Sequence, residues 1–95
     1  MINSEQWFTA LERIMNHYGT EAQKEKAKEE LNELIEAIDE GNKRHIAEEI
    51  CDVVIMLYQL QQIYGLEAST IRKGINYKVS RTCFRMELED GENEQ

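Results

Sequence analysis

The sequence predicts an all-α protein, a four-helix bundle that assembles into an oligomer, from three observations. Apolar residues recur every three or four positions in four segments, which is the spacing of helices with one buried face. The segments are separated by Gly19, Gly41 and Gly65, and glycine commonly follows the last turn of a helix. The chain has no proline and only 95 residues, so its helices are uninterrupted and its small core is of the kind that often relies on oligomerisation.

The first two helices carry recognisable start signals. The first is predicted from about Ser4 to His17, with Ser4 as its N-cap. The second begins at Thr20, which forms a capping-box pattern with Gln23, and ends at about Glu40. The apolar residues expected to face the core are Trp7, Phe8, Leu11, Ile14 and Met15 in the first helix, and Ala27, Leu31, Leu34, Ile35 and Ile38 in the second.

The third helix, from His45 to Tyr64, is apolar almost all round, which predicts that it is buried. Its only charged residues are the carboxylates Glu48, Glu49 and Asp52, and it contains no lysine or arginine to pair with them. Buried carboxylates without a partner are costly. Positive charge must therefore come from outside the helix, and a metal ion is the simplest source.

The fourth helix is predicted from about Ala68 to Met86. The segment from Glu87 onward is acidic and almost free of apolar residues. We therefore expect a helical domain at 1–86 and a disordered or fraying tail at 87–95. The residues of this helix expected to face inward are Ile71, Ile75, Val79 and Phe84.

Composition narrows the class of protein. The net charge of −8 argues against binding a nucleic-acid duplex through its phosphates. No apolar run approaches the roughly 20 residues that cross a bilayer, and polar residues follow Met1, so neither a membrane span nor a signal peptide is expected. Cys51 and Cys83 form no CxxC pair, and we expect them to be buried, reduced thiols of a cytoplasmic protein.

Two carboxylate pairs have the spacing of one helix face. Glu30 and Glu33 lie three residues apart in the second helix, and Glu49 and Asp52 repeat this spacing in the third. A short connection favours antiparallel neighbours, so the pairs can meet and form a site for a hard cation, Mg²⁺ or Mn²⁺. Two simpler interpretations stay open. The first pair can lie on a solvated surface, and the second can accept salt bridges from basic residues of the fourth helix.

The same residues resemble a known family pattern. Glu29-Glu30-Leu31-Asn32-Glu33 followed by Glu49-Ile50-Cys51-Asp52 reads EExxE…ExxD, and Asn76-Tyr77-Lys78-Val79-Ser80-Arg81 is similar to an N-x-K-F-x-R stretch. Over about residues 4–86 the chain resembles the MazG-like all-α nucleoside triphosphate pyrophosphohydrolases, a superfamily that includes dimeric dUTPases and dCTP pyrophosphatases. Val79 stands where many relatives have an aromatic residue, and Thr82 where a second arginine is common.

The resemblance implies that water attacks the α-phosphorus of a nucleoside triphosphate, giving a monophosphate and pyrophosphate, with Mg²⁺ as cofactor and Mn²⁺ as a substitute. The implied metal ligands are Glu30, Glu33, Glu49 and Asp52, and the residues implied to act on the attacking water are Glu29 and Glu33. The implied substrate contacts are Asn76, Lys78, Arg81 and Lys26. Gln23 either reads a base edge or only completes the capping box.

The remaining aromatic and histidine residues receive structural interpretations. Trp7 is expected in the core rather than against a base, and His17 is expected to cap the end of the first helix. His45 is expected to be solvated. Tyr58 and Tyr64 follow the apolar rhythm and are expected in the core or in a subunit interface.

Two other functions stay open. One is a non-catalytic module that binds a nucleotide or a metal without turnover, and the other is an interaction protein whose acidic helices dock a basic partner. The apolar surface of the third helix exceeds what three short helices can cover, which favours a homodimer or homotetramer.

Overall fold

The computed structural model describes residues 2–93, and all regular structure in that range is helical, as the sequence predicts. A 3₁₀ turn at Ser4–Gln6 precedes helices α1 (Trp7–Tyr18), α2 (Thr20–Glu40), α3 (Lys43–Tyr64) and α4 (Ala68–Asn93). The chain divides into two compact units, Met1–Gly65 with α1 to α3, and Leu66–Gln95 with α4. Two expectations stay predictions: that the four helices form one bundle, and that the domain ends at residue 86.

Helices α2 and α3 form a hairpin. Gly41 ends α2 with a left-handed backbone (φ 71°), and its N–H bonds the carbonyls of Ala37 and Ile38. Glycine adopts this conformation without a steric penalty. Asn42 then caps α3, because its side chain accepts a hydrogen bond of 3.1 Å from the His45 N–H. So short a connection places the two helices side by side in opposite directions.

The core lies between the two helices of this hairpin. Ala27 and Ala37 on α2 are buried, as are Val53 and Met56 on α3. The two alanines are small, so the backbones can approach closely and bring longer side chains of both helices together. Charged residues at the edge of this core are therefore held on the α2–α3 boundary.

A buried glutamine joins all three helices of the first unit. The Gln59 side chain is completely buried, and its Oε1 accepts a hydrogen bond of 3.1 Å from Gln23 Nε2 on α2. Its Nε2 donates a bond of 2.9 Å to the Leu11 carbonyl on α1. Both ends of the amide are thus satisfied, as a buried polar group requires.

The helix starts differ from the predicted ones. Asn3, rather than Ser4, caps the first helical turn and takes part in a capping box. The capping box predicted from Thr20 is also wrong, because α2 starts after a glycine with no side-chain cap and Gln23 points into the core instead. Helix α3 begins at Lys43, slightly earlier than predicted.

Helix α3 is not buried all round within the single chain, and its burial by a partner subunit stays a prediction. Ile50 and Leu57 are 48% and 46% exposed, and Val54 and Tyr58 are also exposed. Cys51 is exposed as well, which corrects the expectation of a buried thiol. The neighbouring helices α1 and α2 cover only part of the circumference of α3. We call the exposed residues on the remaining side the outer face of α3: Ile50, Cys51, Val54, Leu57 and Tyr58.

Several aromatic and aliphatic residues expected in the core are also exposed. Trp7 is 46% exposed and lies beside Tyr58, with ring centroids 6.5 Å apart. Tyr64 is exposed too, and the Lys24 ammonium lies 5.3 Å from its ring centroid. The predicted core position of Trp7 is therefore wrong within one chain, whereas for Tyr58 and Tyr64 the predicted subunit interface stays open. The same correction applies to Phe8, Ile14, Leu31, Ile35 and Ile38.

Helix α4 forms the second unit and is longer than predicted. It continues past Met86 through most of the acidic segment, as far as Asn93. Of the residues expected to face inward, Ile75, Val79 and Phe84 are exposed. Helical spacing places Phe84 on a different side of α4 from the other two, so no single neighbour covers all three. Cys83 is exposed, contrary to the predicted burial.

Within residues 2–93, no helix has both the length and the apolar character that crossing a bilayer requires.

Candidate metal centre

Three carboxylates from α2 and α3 converge at the edge of the hairpin core. One oxygen from each of Glu30, Glu49 and Asp52 lies within 4.8 Å of the others. Glu30 follows the buried Ala27 by one helical turn, and Glu49 precedes the buried Val53 by one turn, so both face the boundary between the helices. Glu30 and Glu49 are buried and Asp52 is partly exposed. Solvent therefore reaches the cluster from the Asp52 side.

Two oxygens of this cluster are buried without a partner. Among the described residues, neither Oε2 of Glu30 nor Oε2 of Glu49 has a hydrogen-bond partner, although both residues are more than nine-tenths buried. An unpaired buried carboxylate oxygen is costly. The hydrogen bonds of the described residues therefore do not satisfy these two oxygens, and none of those residues places a positively charged group against them.

Lys26 supplies part of the missing positive charge. Its ammonium lies 3.0 Å from Oε1 of Glu30 and 3.8 Å from a carboxylate oxygen of Glu29. The hydrogen bond from Lys26 holds the pKa of Glu30 below its ordinary value. Lys26 and Glu29 are both exposed, so this side of the cluster is also accessible to solvent.

The pKa values of two further glutamates, Glu49 and Glu33, lie above the ordinary value. Burial raises the pKa of Glu49, and the neighbouring carboxylates of Glu30 and Asp52 raise it further. Burial also raises the pKa of Glu33, which lies beside the three converging carboxylates, and Glu30 and Glu49 add to the effect. Carboxylates brought this close repel one another when all are ionised. A divalent cation removes that repulsion.

His45 also contacts the cluster, although its side chain is 36% exposed and so still reaches solvent, as predicted. Its Nδ1 lies 3.0 Å from Oε2 of Glu40, and its Nε2 lies 3.5 Å from Oε1 of Glu49. The hydrogen bond with Glu40 raises the pKa of His45. The i, i+4 spacing of His45 and Glu49 was a usable sequence signal. The contact with Glu40 was not, because it depends on the tight turn between α2 and α3.

The other predicted substrate-contacting residues have different surroundings. Gln23 is buried and its amide nitrogen donates a hydrogen bond to Gln59, and its contact with a base edge stays a prediction. Asn76, Lys78 and Arg81 belong to α4 and are exposed, with the Arg81 guanidinium 5.6 Å from the centroid of the Tyr77 ring. Their contacts with phosphate stay a prediction. His17 lies in the last turn of α1, as predicted.

The donor set fits a hard divalent cation. All of the converging atoms are carboxylate oxygens, which suit Mg²⁺ and Mn²⁺ better than softer metals. Two of the residues bring a buried oxygen that has no partner within residues 2–93, and the third opens to solvent. Such a site can hold a cation and still leave coordination positions for water or for a substrate oxygen.

Comparison with known proteins gives one match. A family model described as the MazG nucleotide pyrophosphohydrolase domain matches residues 19–84, which is more than half of the chain and includes every carboxylate of the cluster. No curated protein and no solved structure gives a significant match to the chain.

Proposed function

The chain belongs to the MazG nucleotide pyrophosphohydrolase domain family, and from this premise we propose that it hydrolyses nucleoside triphosphates in a Mg²⁺-dependent reaction. The products are a nucleoside monophosphate and pyrophosphate. The observation that carries this proposal is the pair of buried, unpartnered oxygens on Glu30 and Glu49, which lie beside Asp52 in a single cluster.

Glu30, Glu49 and Asp52 would hold the cation, and Glu33, which lies next to Glu30, would be the fourth carboxylate ligand. When bound, Mg²⁺ polarises phosphoryl oxygens, lowers the pKa of bound water and offsets the negative charge of the triphosphate. Mn²⁺ serves as a substitute because it accepts the same oxygen ligands. Without a cation, the carboxylates repel the substrate that they are meant to bind.

The chemistry requires no nucleophilic side chain. A water oxygen forms a bond to the α-phosphorus, and the bond from that phosphorus to the bridging oxygen of the β-phosphate breaks, so pyrophosphate leaves. Glu29 is exposed at the edge of the cluster, where it orients the water or accepts its proton. Glu33 is the second candidate for this role, because it lies beside Glu30 on the same side of α2 and near Glu49 of α3.

The cationic side chains neutralise charge on the substrate. Lys26 is bound to Glu30 in this structure. We propose that it moves to a phosphate oxygen when a cation replaces it at that carboxylate. Lys78 and Arg81 contact the leaving pyrophosphate, where charge develops as the bond breaks, and Asn76 contacts the sugar or a phosphate.

The outer face of α3 supports assembly into a homodimer or homotetramer. Its residues Ile50, Cys51, Val54, Leu57 and Tyr58 are all exposed in the single chain, and such a contiguous apolar surface is typical of an interface. Light scattering on the parental chain and on Leu57→Glu tests this assembly. A parental chain that is monomeric at micromolar concentration would overturn it. The two free cysteines favour a reducing compartment such as the cytoplasm.

A pyrophosphate-release assay tests the proposed reaction. The purified chain is incubated with a panel of ribo- and deoxyribonucleoside triphosphates, standard and damaged, with Mg²⁺ present or omitted. We expect pyrophosphate only with Mg²⁺, and its loss in Glu49→Ala and Asp52→Ala. Glu48→Ala is the matched control, because it removes an exposed carboxylate next to Glu49.

The assay also separates the proposal from a binding module without turnover. Such a module would show Mg²⁺-dependent thermal stabilisation by a nucleotide but release no pyrophosphate. Pyrophosphate release that survives both Glu49→Ala and Asp52→Ala would overturn the assigned roles. An absence of any Mg²⁺ effect on stability would instead favour an acidic interaction protein.

A further inference from the structure

We infer that His45, supported by Glu40, is a positioning residue that orients the Glu49 carboxylate toward the bound cation. This inference rests on the metal site proposed above. Sequence patterns did not assign His45 to the site, and the proposed chemistry does not use it. It nevertheless joins the end of α2 to a buried carboxylate on α3.

Each nitrogen of the imidazole ring lies near a carboxylate oxygen, and Nδ1 forms a hydrogen bond. A carboxylate has no proton to give, so Nδ1 donates to Oε2 of Glu40 over 3.0 Å. On the opposite side of the ring, Nε2 lies 3.5 Å from Oε1 of Glu49, a contact that is attractive when Nε2 also carries a proton. The ring therefore spans two carboxylates from different helices, and the hydrogen bond to Glu40 sets its orientation.

The backbone of His45 is fixed as well. Its N–H donates to the side chain of Asn42, the residue that caps α3, over 3.1 Å. Glu40 belongs to the last turn of α2, on the other side of the same turn. The tight connection between the helices thus fixes both the residue that carries the ring and the residue that holds it.

The consequence for Glu49 is that its two oxygens have different roles. Oε1 faces His45, while Oε2 is buried and has no partner among the described residues. An Nε2–H group near one oxygen of a carboxylate favours the rotation that directs the other oxygen away from the ring. Groups that orient metal ligands in this way typically change metal affinity by about 10–100-fold when they are removed.

A simpler interpretation is that His45 and Glu40 only stabilise the turn. Exposed ion pairs contribute little to stability, and the Glu40 side chain is 59% exposed. Under that interpretation, removing either residue changes the melting temperature but leaves cation affinity untouched. A third interpretation treats the imidazole as a mere positive charge, and its removal would then tighten cation binding because like charges repel. The sign of the change in affinity separates the three.

The test measures Mn²⁺ binding to the nucleotide-free, full-length chain by electron paramagnetic resonance, with a melting curve for each variant. We expect His45→Ala to weaken Mn²⁺ binding about 10–100-fold. Glu40→Ala should weaken it less, whereas Glu40→Gln should bind nearly as the parental chain does, because its amide oxygen still accepts from Nδ1. In the His45→Ala background, Glu40→Ala should have no further effect.

Matched controls separate positioning from net charge. Asp39→Ala removes another exposed carboxylate from the last turn of α2, and His17→Ala removes the chain's other histidine. Both should bind Mn²⁺ with parental affinity. If His45→Ala does not fold, the exposed Glu40 position still tests the inference through its alanine and glutamine variants.

The outcomes are distinguishable. Three results would overturn the positioning role alone. His45→Ala could bind Mn²⁺ with parental affinity, or it could bind Mn²⁺ more tightly. The third result is that Glu40→Ala weakens Mn²⁺ binding equally in the parental and His45→Ala backgrounds. A parental chain that binds no Mn²⁺ overturns the proposed metal site, and the inference with it. Mn²⁺ binding that responds to His45 as expected, without pyrophosphate release, supports the inference while refuting the proposed reaction.

Discussion

The substitution Glu49→Gln should change stability in opposite directions with and without Mg²⁺. Burial and the carboxylates of Glu30 and Asp52 raise the pKa of Glu49, so its ionised form is disfavoured in the metal-free chain. A neutral amide of the same size removes that penalty, and the metal-free melting temperature should rise. The same change removes a charged ligand, so stabilisation by Mg²⁺ should largely disappear.

The size of the Mg²⁺ effect follows from linkage. At a concentration one hundred times the dissociation constant, a cation that binds only the folded chain adds about 2.7 kcal/mol to the free energy of unfolding. For a domain of this size, that raises the melting temperature by about 11–22 °C. Losing one of three converging carboxylates should cost at least the 10–100-fold of an outer-shell partner. A hundredfold weaker site gains only about 0.4 kcal/mol, which is about 2–3 °C.

The assay is differential scanning fluorimetry on metal-free protein, repeated over a Mg²⁺ titration. Glu48→Gln is the matched control, because it neutralises a carboxylate next to Glu49 whose side chain is 62% exposed and pairs with Arg44. The control should be stabilised by Mg²⁺ as much as the parental chain. The reasoning is refuted if Glu49→Gln melts lower than the parental chain without metal, or if Mg²⁺ stabilises the two equally.

Three further predictions concern neighbouring groups. Lys26→Met should tighten Mn²⁺ binding to the nucleotide-free chain by up to about fivefold, because the Lys26 ammonium competes with the cation for Glu30. The same substitution should raise KM for the nucleotide. Weaker Mn²⁺ binding would contradict this competition. A glutamate whose pKa is raised in the folded chain contributes stability at pH values below its ordinary pKa of about 4.3, and this contribution is lost as the pH rises through the folded pKa. Because the pKa of Glu49 is raised, the melting temperature of the metal-free chain should fall over this pH range. The added stabilisation by Mg²⁺ should grow over the same range, and fluorimetry at several pH values checks both trends. Gln59→Ala should lower the free energy of unfolding by about 3–5 kcal/mol, because it leaves a cavity and removes the partner of the buried Gln23 amide. Urea denaturation measures this change. A loss below about 1 kcal/mol would show that the hydrogen bonds of Gln59 do not stabilise the fold.

The carboxylate cluster was predictable because it depends on local spacing. Two pairs three residues apart, on helices joined by a short connection, leave few arrangements other than a shared boundary. The structure brings Glu30, Glu49 and Asp52 together, and Glu33 lies beside them. Their function as metal ligands stays a proposal, since neither the geometry nor the family match tests it.

The misplaced residues share a physical cause. Helical periodicity shows which residues are apolar on each face, but not how many faces find a neighbour. Trp7 and Leu57 follow the apolar rhythm and are nevertheless about half exposed in one chain. Conversely, Gln23 and Gln59 look like surface residues in the sequence, yet both are buried. Gln23 Nε2 donates to Gln59 Oε1, and Gln59 Nε2 donates to the Leu11 carbonyl.

The sequence by itself determined the helical class, the span of α2 and the identity of the acidic residues that can share a site, because glycine positions and short-range spacing act within one helix or one turn. Only the tertiary structure decided which oxygens are left buried without a partner among the described residues, and that His45 connects Glu40 to Glu49. These features depend on the rotation of α2 against α3 and on the position of side-chain ends. Small changes in helix packing alter both without changing the spacing of residues along the chain.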